Sequence, residues 1–375
     1  MDAARSLSAG ERLDWLRLWR SENVGPVTFR RLLGRYGSAR VALDILPEIA
    51  RRGGRTRPIR LCPPEAAEHE VAAIERLGAR LVGWDEADYP PLLRHVDDAP
   101  PLLCLLGNPG VLRTPAVGVV GSRNASINGK RLAATLAADL GAAGWSVVSG
   151  LARGIDTAAH EGSLATGTAA VLAGGVDVVY PPENRGLYDR IREQGLLLCE
   201  SPPGTEPLAR HFPRRNRLIS GSALGVVVVE ARPGSGSLIT ARTALEQGRE
   251  VFAVPGSPLD PRAHGGNHLI RQGATLTESV DDVLRVLEAM RTAPEKAAER
   301  PPPFLADSAL PADFEAESAQ TRIVAALGPA PVAVDEVIRS CQFSPAIVSS
   351  VLLELELAGR LERHPGNRVS LIHLA

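Results

Sequence analysis

The feature that most constrains this fold is a series of short, fully apolar runs between residues 114 and 290. Stretches with helical spacing separate the runs, for example NGKRLAATLAADLGAAG after the first of them. Strands that are apolar at every position are typical of a parallel sheet covered on both faces, and their alternation with helices indicates an α/β fold. We therefore predict a Rossmann-like, doubly wound, mostly parallel sheet. The runs are AVGVVG (116–121), SVVS (146–149), TAAVLAGG (168–175), LLLCES (196–201), GVVVVEA (225–231) and EVFAVP (250–255).

The remainder of the chain suggests a division into four parts. Residues 1–60 have helical spacing, and NVGPVTFRRLLGRYGS resembles a degenerate helix-hairpin-helix, so we expect a helical (SAM- or helix-hairpin-helix-like) N-terminal domain. Residues 61–290 form the extended Rossmann-like domain, and residues 291–316, rich in Pro, Ala and charge, read as a disordered linker. Residues 317–375 contain three helical patterns and a hairpin around Pro-Gly-Asn, which predicts a small winged-helix domain.

The third helical pattern of that last domain is unusual for a DNA-reading helix. In winged helices the third helix often enters a DNA groove. Here it reads SPAIVSSVLLELELAG, with acids and no arginine. The sequence therefore favours a protein contact over DNA reading for this domain.

Composition excludes several classes of protein. No apolar run approaches the roughly 18 residues of a membrane span, and the N-terminus has no signal-peptide pattern, so we expect a cytoplasmic protein without a membrane partner. The four cysteines are scattered without a CxxC pair, which argues against a zinc site or a disulfide framework. The net charge of −1 gives no general affinity for nucleic acid.

Four of the loops that leave the apolar runs are rich in glycine, hydroxyl side chains and arginine. In an open parallel sheet such loops gather at the carboxyl edge, where backbone N–H groups and helix N-termini can bind phosphate. Tight turns alone would explain any single loop, but four together predict a phosphate-binding rim. The loops are GSRNASING (121–129), SGLARGID (149–156), GGVDVVYPPEN (174–184) and RPGSGSLITA (232–241).

Positive charge is concentrated near these loops. Between Arg210 and Arg249 the sequence has seven arginines and two acids, Glu230 and Glu246. Arginine binds phosphate in two places and stacks on bases. The group in HFPRRNR stands just before an apolar strand, and we expect its charge to point outward from the loop edge of the sheet. Phe212 and Tyr180 could offer stacking surfaces, although packing explains both as well.

Catalytic patterns are scarce. There is no GxGxxG after the first strand, no GxxxxGK[ST] and no GxSxG elbow. His160 lies four residues after Asp156 on a helix, which fits a metal or base pair or, more commonly, a helix-surface or N-terminal cap arrangement. We expect no catalytic residue, no metal and no cofactor.

The motifs together resemble the DNA-processing protein A (DprA, also called Smf) family. The resemblance is continuous over about residues 90–285 and rests on six motifs in the same order and spacing. They are VVGSRNASINGKR, SGLARGIDTAAHEGSL, AVLAGGVDVVYPPENRGL, HFPRRNRLISG, VVVVEARPGSGSLITARTALEQGREVFAVPG and GGNHLIRQGA.

The resemblance implies a DNA-binding protein of natural transformation (competence) and DNA recombination. Such proteins bind single-stranded DNA without sequence preference, load the RecA recombinase and act as homodimers, and they are not known as enzymes. Leu269 and Ile270 are the residues implied for the dimer face. The implied DNA-binding residues are Arg123, Arg153, Arg185, Arg214, Arg215, Arg217, Gly121, Ser122, Gly150, Gly154, Gly234, Ser235, Gly236, Ser237 and Thr240.

An enzyme and a sensor remain as alternatives. RPGSGSLITA also resembles the PGGxGTxxE motif of the nucleoside-monophosphate phosphoribohydrolases, but Thr240 stands where that motif has its catalytic glutamate. Glu230 could substitute, although we expect it to pair with an arginine. A sensor of small nucleotides would keep the phosphate pocket and bind no DNA.

Overall fold

The computed structural model describes residues 6–292, 313–364 and 366–372 of the chain. These residues form two compact units. One combines the described parts of residues 1–7 and 69–294, and the other combines the described parts of residues 8–68 and 295–375. The predicted linker at 291–316 falls largely outside the described residues.

Helices and strands alternate through the middle of the chain. The helices are α1 (Ala9–Arg20), α2 (Pro26–Tyr36), α3 (Ala39–Arg52), α4 (Pro64–Arg76), α5 (Ile127–Ala142), α6 (Ile155–Ser163), α7 (Arg185–Gln194), α8 (His211–Gly221), α9 (Gly236–Glu246), α10 (His264–Arg271), α11 (Val280–Thr292), α12 (Asp313–Ala326), α13 (Val334–Cys341) and α14 (Pro345–Leu357). The strands are β1 (Arg80–Gly83), β2 (Leu102–Gly107), β3 (Ala116–Val120), β4 (Ser146–Ser149), β5 (Thr168–Val171), β6 (Leu196–Cys199), β7 (Gly225–Val228), β8 (Glu250–Ala253), β9 (Thr275–Leu276), β10 (Val332–Ala333), β11 (Leu361–His364) and β12 (Arg368–Leu371).

The first unit is built on a nine-stranded sheet with the order β1-β2-β6-β5-β4-β3-β7-β8-β9. The seven strands from β6 to β9 in this order are parallel to their neighbours, while β1 and β2 are antiparallel extensions at one side. The mostly parallel, doubly wound sheet predicted from the apolar runs is confirmed.

Helices cover both faces of this sheet. Val117 and Val119 of β3 pack into one core with Leu136 of α5 and Leu287 of α11. The residue between them, Gly118, faces the other side, where a Cβ atom would lie 3.5 Å from Ile219 of α8. Burial on both faces explains why strands such as β3 and β7 are apolar at every position.

The order of the strands fixes where a ligand can bind. From β3 the chain adds β4, β5 and β6 on one side and then β7, β8 and β9 on the other. The direction of winding therefore changes between β3 and β7, and the loops after these two strands flank the crevice that such a change opens.

The second unit joins both ends of the chain. Helices α1, α2 and α3 form its N-terminal part, and α12, α13 and α14 with the three-stranded sheet β10-β12-β11 form its C-terminal part. Helix, helix, helix and hairpin is the predicted winged-helix arrangement, which is confirmed, and its core includes Ile323, Val348 and Leu352. Among the described residues, no helix combines the length and apolar character that crossing a membrane requires.

Candidate nucleic-acid interface

The four glycine-rich loops follow β3, β4, β5 and β7, which are parallel to one another. They therefore lie at the same edge of the sheet, and α8 begins at that edge as well. We call this edge the rim, defined by residues 121–126, 150–154, 174–185 and 229–236 together with the first turn of α8.

A guanidinium and two aromatic rings meet on the rim. The Cζ atom of Arg123 lies 4.7 Å from the ring centroid of Phe212, and the Tyr180 ring lies 5.7 Å from Phe212 at an interplanar angle of 58°. Arg123 is exposed, and Tyr180 keeps 41% of its surface accessible. Arg123 comes from the first loop, Tyr180 from the third and Phe212 from α8, so only the fold brings these three residues together.

Arg215 does not point outward, contrary to the prediction. It is buried, its Nη1 donates hydrogen bonds to the carbonyl oxygens of Gly150 and Val171, and its Nε donates to Asn216 Oδ1 at 3.2 Å. Burial lowers the pKa of Arg215 to about 10, so the group stays charged near neutral pH. Its hydrogen bonds therefore link the carboxyl ends of β4 and β5.

Arg217 is also turned inward, so the prediction is wrong for this residue too. Its guanidinium pairs with Glu200 and lies 3.6 Å from Asp98 Oδ2, and its side chain is only 12% exposed. The carboxylates of Glu200 and Asp98 raise the pKa of Arg217 despite burial. The physical reason is that α8 starts at His211, and successive side chains on a helix point about 100° apart. Of Arg214, Arg215 and Arg217, only Arg214 is exposed.

Arg153 and Arg185 are exposed on the rim as predicted, each with a neighbour. Arg153 Nε lies 3.3 Å from the exposed carboxylate of Glu183. Arg185 is the first residue of α7, and its Cζ lies 5.7 Å from the Tyr188 ring centroid. Because both arginines are solvent-exposed, their charges remain available to a phosphate.

The predicted glycines fall into two groups. Gly121, Gly150 and Gly154 are needed for packing: Gly154 has φ +80°, and a Cβ there would lie 2.3 Å from Ser122 O. Gly234 and Gly236 instead have no atom within 4 Å of a built Cβ, so the fourth loop is open. Only this loop leaves room for a ligand directly at its glycines.

The predicted hydroxyl donors are mostly engaged within the protein. Ser122 Oγ accepts from Asn124 N at 3.1 Å, and Ser235 Oγ shares a hydrogen bond with Ser237 Oγ at 2.9 Å. Ser237 and Thr240 are buried, and Thr240 donates to Gly236 O at 3.3 Å inside α9. Neither of these two buried residues is presented to a ligand, so the expectation for them is not supported.

Asp156 and His160 form a buried support for the second loop. Asp156 accepts from the N–H groups of Gly150 and Ala152, and His160 Nε2 accepts from Leu151 N at 3.3 Å. Burial raises the pKa of Asp156 and lowers that of His160 to about 3, so the imidazole is neutral at physiological pH. Because α6 has no side-chain cap and both residues are buried, the pair fits neither a helix cap nor a helix-surface arrangement, and the neutral, buried imidazole does not suit a general base.

Glu230 has a different partner from the one expected. Its carboxylate accepts from Ser126 N at 2.9 Å and from Ser126 Oγ at 2.5 Å, and Ser126 in turn caps α5 by accepting from Gly129 N. The carboxylate is thereby fixed at the N-terminus of α5, where the helix dipole favours negative charge.

The residues implied for a dimer face differ in exposure. Leu269 is buried within its own chain, so its side chain cannot form an outer surface, and that expectation is not supported. Ile270 is half-buried, and Leu276 on the edge strand β9 is 44% exposed.

Comparisons with known proteins identify the family. The family model described as "DNA recombination-mediator protein A" matches residues 80–288, and models of a DprA-like N-terminal HHH domain and a DprA winged helix domain match residues 9–73 and 306–367. The chain is 31% identical to protein Smf of Synechocystis, over 96% of this chain and 99% of that protein. It is 48% identical to the DNA processing protein DprA of Streptococcus pneumoniae, over 53% of this chain and 71% of that protein.

Two solved structures agree with this assignment. DprA from S. pneumoniae has a TM-score of 0.62 and 37% identity, covering 75% of this chain and 98% of that one. DprA from Helicobacter pylori, from a study of its single-stranded DNA binding mode, has a TM-score of 0.52 and 27% identity, covering 56% and 96%. This chain therefore belongs to the DNA processing protein A (DprA/Smf) family.

Proposed function

We propose that the rim binds single-stranded DNA without sequence preference. The observation that carries this proposal is the Arg123–Phe212–Tyr180 group, which offers one cation and two aromatic rings on the rim. Proteins that hold single strands combine a cationic track with aromatic stacking platforms and need no base-edge contacts. The H. pylori relative, with its described single-stranded DNA binding mode, supports the same reading.

The exposed arginines supply the track. Arg123, Arg153, Arg185 and Arg214 are exposed along the rim, and the open backbone at Gly234–Gly236 adds N–H donors. Arg215 and Arg217 act indirectly, because their buried guanidiniums fix the ends of the strands and the position of α8. The rim therefore divides into four exposed arginines that contact phosphate and two buried ones that position them.

A titration of single-strand affinity tests this proposal. Arg123→Ala should weaken binding of oligo-dT and of a mixed-sequence oligonucleotide equally, and lower the log–log salt slope by about 0.7 for one lost phosphate contact. Arg192→Ala is the matched control, because Arg192 is an exposed arginine in the last turn of α7, away from the rim. Equal loss in both variants, or no loss in the Arg123 variant, would contradict the site.

We infer further that the protein loads a RecA-type recombinase onto the bound strand during natural transformation, as a cytoplasmic homodimer. The description of the family as recombination mediators supports the first part. The exposed Leu276 and half-buried Ile270, near the free edge of β9, support the second. The double variant Ile270→Arg, Leu276→Arg should have a lower mass than the parent in analytical ultracentrifugation.

The loading role is tested by the rate of RecA assembly on single strands. Assembly should be slower without the protein than on strands that the protein has coated.

We propose that the chain is not a nucleotide hydrolase. Thr240, at the position of the catalytic glutamate, is buried inside α9, and Glu230 is held by Ser126. Neither of these two positions then offers a free carboxylate to protonate an N-glycosidic bond. Release of adenine from AMP by the purified protein would revive the enzyme reading. An affinity for a mononucleotide equal to that for an oligonucleotide would favour the sensor.

A further inference from the structure

The third helix of the winged helix is covered by the N-terminal helices. Asn23 Nδ2 donates to Leu357 O at 3.1 Å, Thr28 Oγ1 to Glu356 Oε1 at 2.5 Å, and Arg35 Nη1 to Ser350 Oγ at 2.9 Å. These contacts run along α14 from its middle to its end. The helix that would enter a DNA groove is thus occupied by the protein's own chain.

The end of α3 and the end of α14 approach each other so closely that one position between them needs glycine. Gly53, directly after α3, packs against the last turn of α14, where an added Cβ would lie 2.0 Å from Glu354 O and 2.8 Å from Ala358 Cβ. Arg360 Nη1 donates to Gly53 O at 3.2 Å. The φ of Gly53 is −66°, so any residue could adopt its backbone conformation, and the glycine is required by the contact alone.

Charge complementarity explains why α14 carries acids. The Glu356 carboxylate also accepts from Arg363 Nε at 2.7 Å. Burial lowers the pKa of half-buried Arg31 to about 10, and the charge of Glu356 opposes this shift. Burial raises the pKa of Glu354, and the positive charges of Arg52 and Arg35 oppose this rise. An acidic helix therefore lies on a basic helical surface.

The Glu356 carboxylate lies beside the N-terminus of α2. Thr28, in the first turn of α2, donates to this carboxylate, and Asn23, in the turn before α2, donates to Leu357 O. Helix N-termini favour anions, and in helix-hairpin-helix domains the turn before the second helix offers backbone N–H groups to a DNA phosphate. A protein carboxylate therefore supplies the anion at an end of α2 that would also suit a phosphate.

We propose that the winged helix is an acidic cap on the nucleic-acid face of the N-terminal helical domain. In the docked state neither half of this unit binds duplex DNA. Displacing α14 releases the exposed Arg35 from Ser350 and opens half-buried Arg31 and the hairpin turn to the phosphates of a duplex. This role is separate from single-strand binding at the rim.

The tests are Gly53→Ala, which blocks the close approach without backbone strain, and Glu356→Gln, which removes the charge while retaining the shape. Gly34→Ala is the matched control, because Gly34 lies in α2 with no atom within 4 Å of a built Cβ. Amide hydrogen exchange measures docking of α14, fluorescence anisotropy at low salt measures affinity for a 30-base-pair duplex, and circular dichroism checks folding.

We expect both test variants to exchange α14 amides faster and to bind duplex about fivefold more tightly in a salt-dependent way. The Gly34 variant should match the parent in both measurements. Faster exchange without a gain in duplex affinity would overturn the masking role. Unchanged exchange in Gly53→Ala would overturn the docking contact on which the proposal is built, as would an equal gain in the Gly34 control.

Discussion

Gly150 and Arg215 are matched to each other: the guanidinium donates to the Gly150 carbonyl, and a Cβ on Gly150 would lie 2.1 Å from Arg215 Nη1. The second loop of the rim can therefore follow its path only if this position has no side chain. A glycine that looks like a phosphate contact in the sequence is needed to accommodate a buried arginine.

Gly150→Ala should accordingly destabilise the fold by about 1–3 kcal/mol through overpacking. Gly236→Ala, in the open fourth loop, has free space for the methyl group and should stay close to the parent. Chemical denaturation of both variants measures the difference. Equal stability of the two would mean that the close packing at Gly150 does not exist in solution.

Arg217 and Glu200 form a largely buried ion pair. Arg217→Met removes the cation of this pair while the Glu200 carboxylate keeps its charge, and should cost about 3–5 kcal/mol of folding free energy. Arg217→Met with Glu200→Gln should recover much of that loss, because both charges of the pair are then removed. Thermal melting of the single and double variants tests this, and a double variant no better than the single one would refute the coupling.

Phe212 connects the cation and the aromatic surface of the rim. Phe212→Leu keeps apolar bulk but removes the ring, and should reduce single-strand affinity by about 1–3 kcal/mol if a base stacks there. Phe212→Tyr keeps the ring and should bind like the parent. Both are measured by oligo-dT titration; a Leu variant with parental affinity would show that Phe212 only packs.

His160 should make stability depend on pH. Its pKa is about 3 in the folded chain and 6.5 ordinarily, so between these values the unfolded chain takes up a proton that the folded chain does not. Stability contributed by the neutral imidazole is therefore present above pH 6.5 and lost as the pH falls, by about 2 kcal/mol from pH 7 to pH 5 for one proton. Urea unfolding at several pH values should show that the free energy of unfolding falls more steeply with falling pH in the parent than in His160→Gln. Asp156 is present in both proteins, so its titration does not contribute to this difference.

Removing residues 317–375 should leave single-strand affinity within about twofold of the parent, because every residue of the rim lies in the other unit and the deleted segment contributes none of them. Anisotropy with oligo-dT compares the two proteins. A loss of most of the affinity would show that the winged helix contributes directly to single-strand binding.

The sequence by itself determined the architecture of the first unit. Strands such as Ala116–Val120 are apolar at every position because both faces are buried, and this pattern predicted a parallel sheet with its glycine-rich loops at one edge. The six motifs from VVGSRNASINGKR to GGNHLIRQGA also indicated the family, because their order and spacing are visible along the chain.

Only the tertiary structure decided the direction of each side chain. Arg214, Arg215 and Arg217 look equivalent in sequence, but the start of α8 at His211 and the carbonyls and carboxylates around it turn two of them inward. The meeting of Arg123 with Phe212, and of Glu356 with Thr28, joins residues that are far apart in the chain. Local patterns fix helices and strands, but contacts between distant segments depend on how those elements pack.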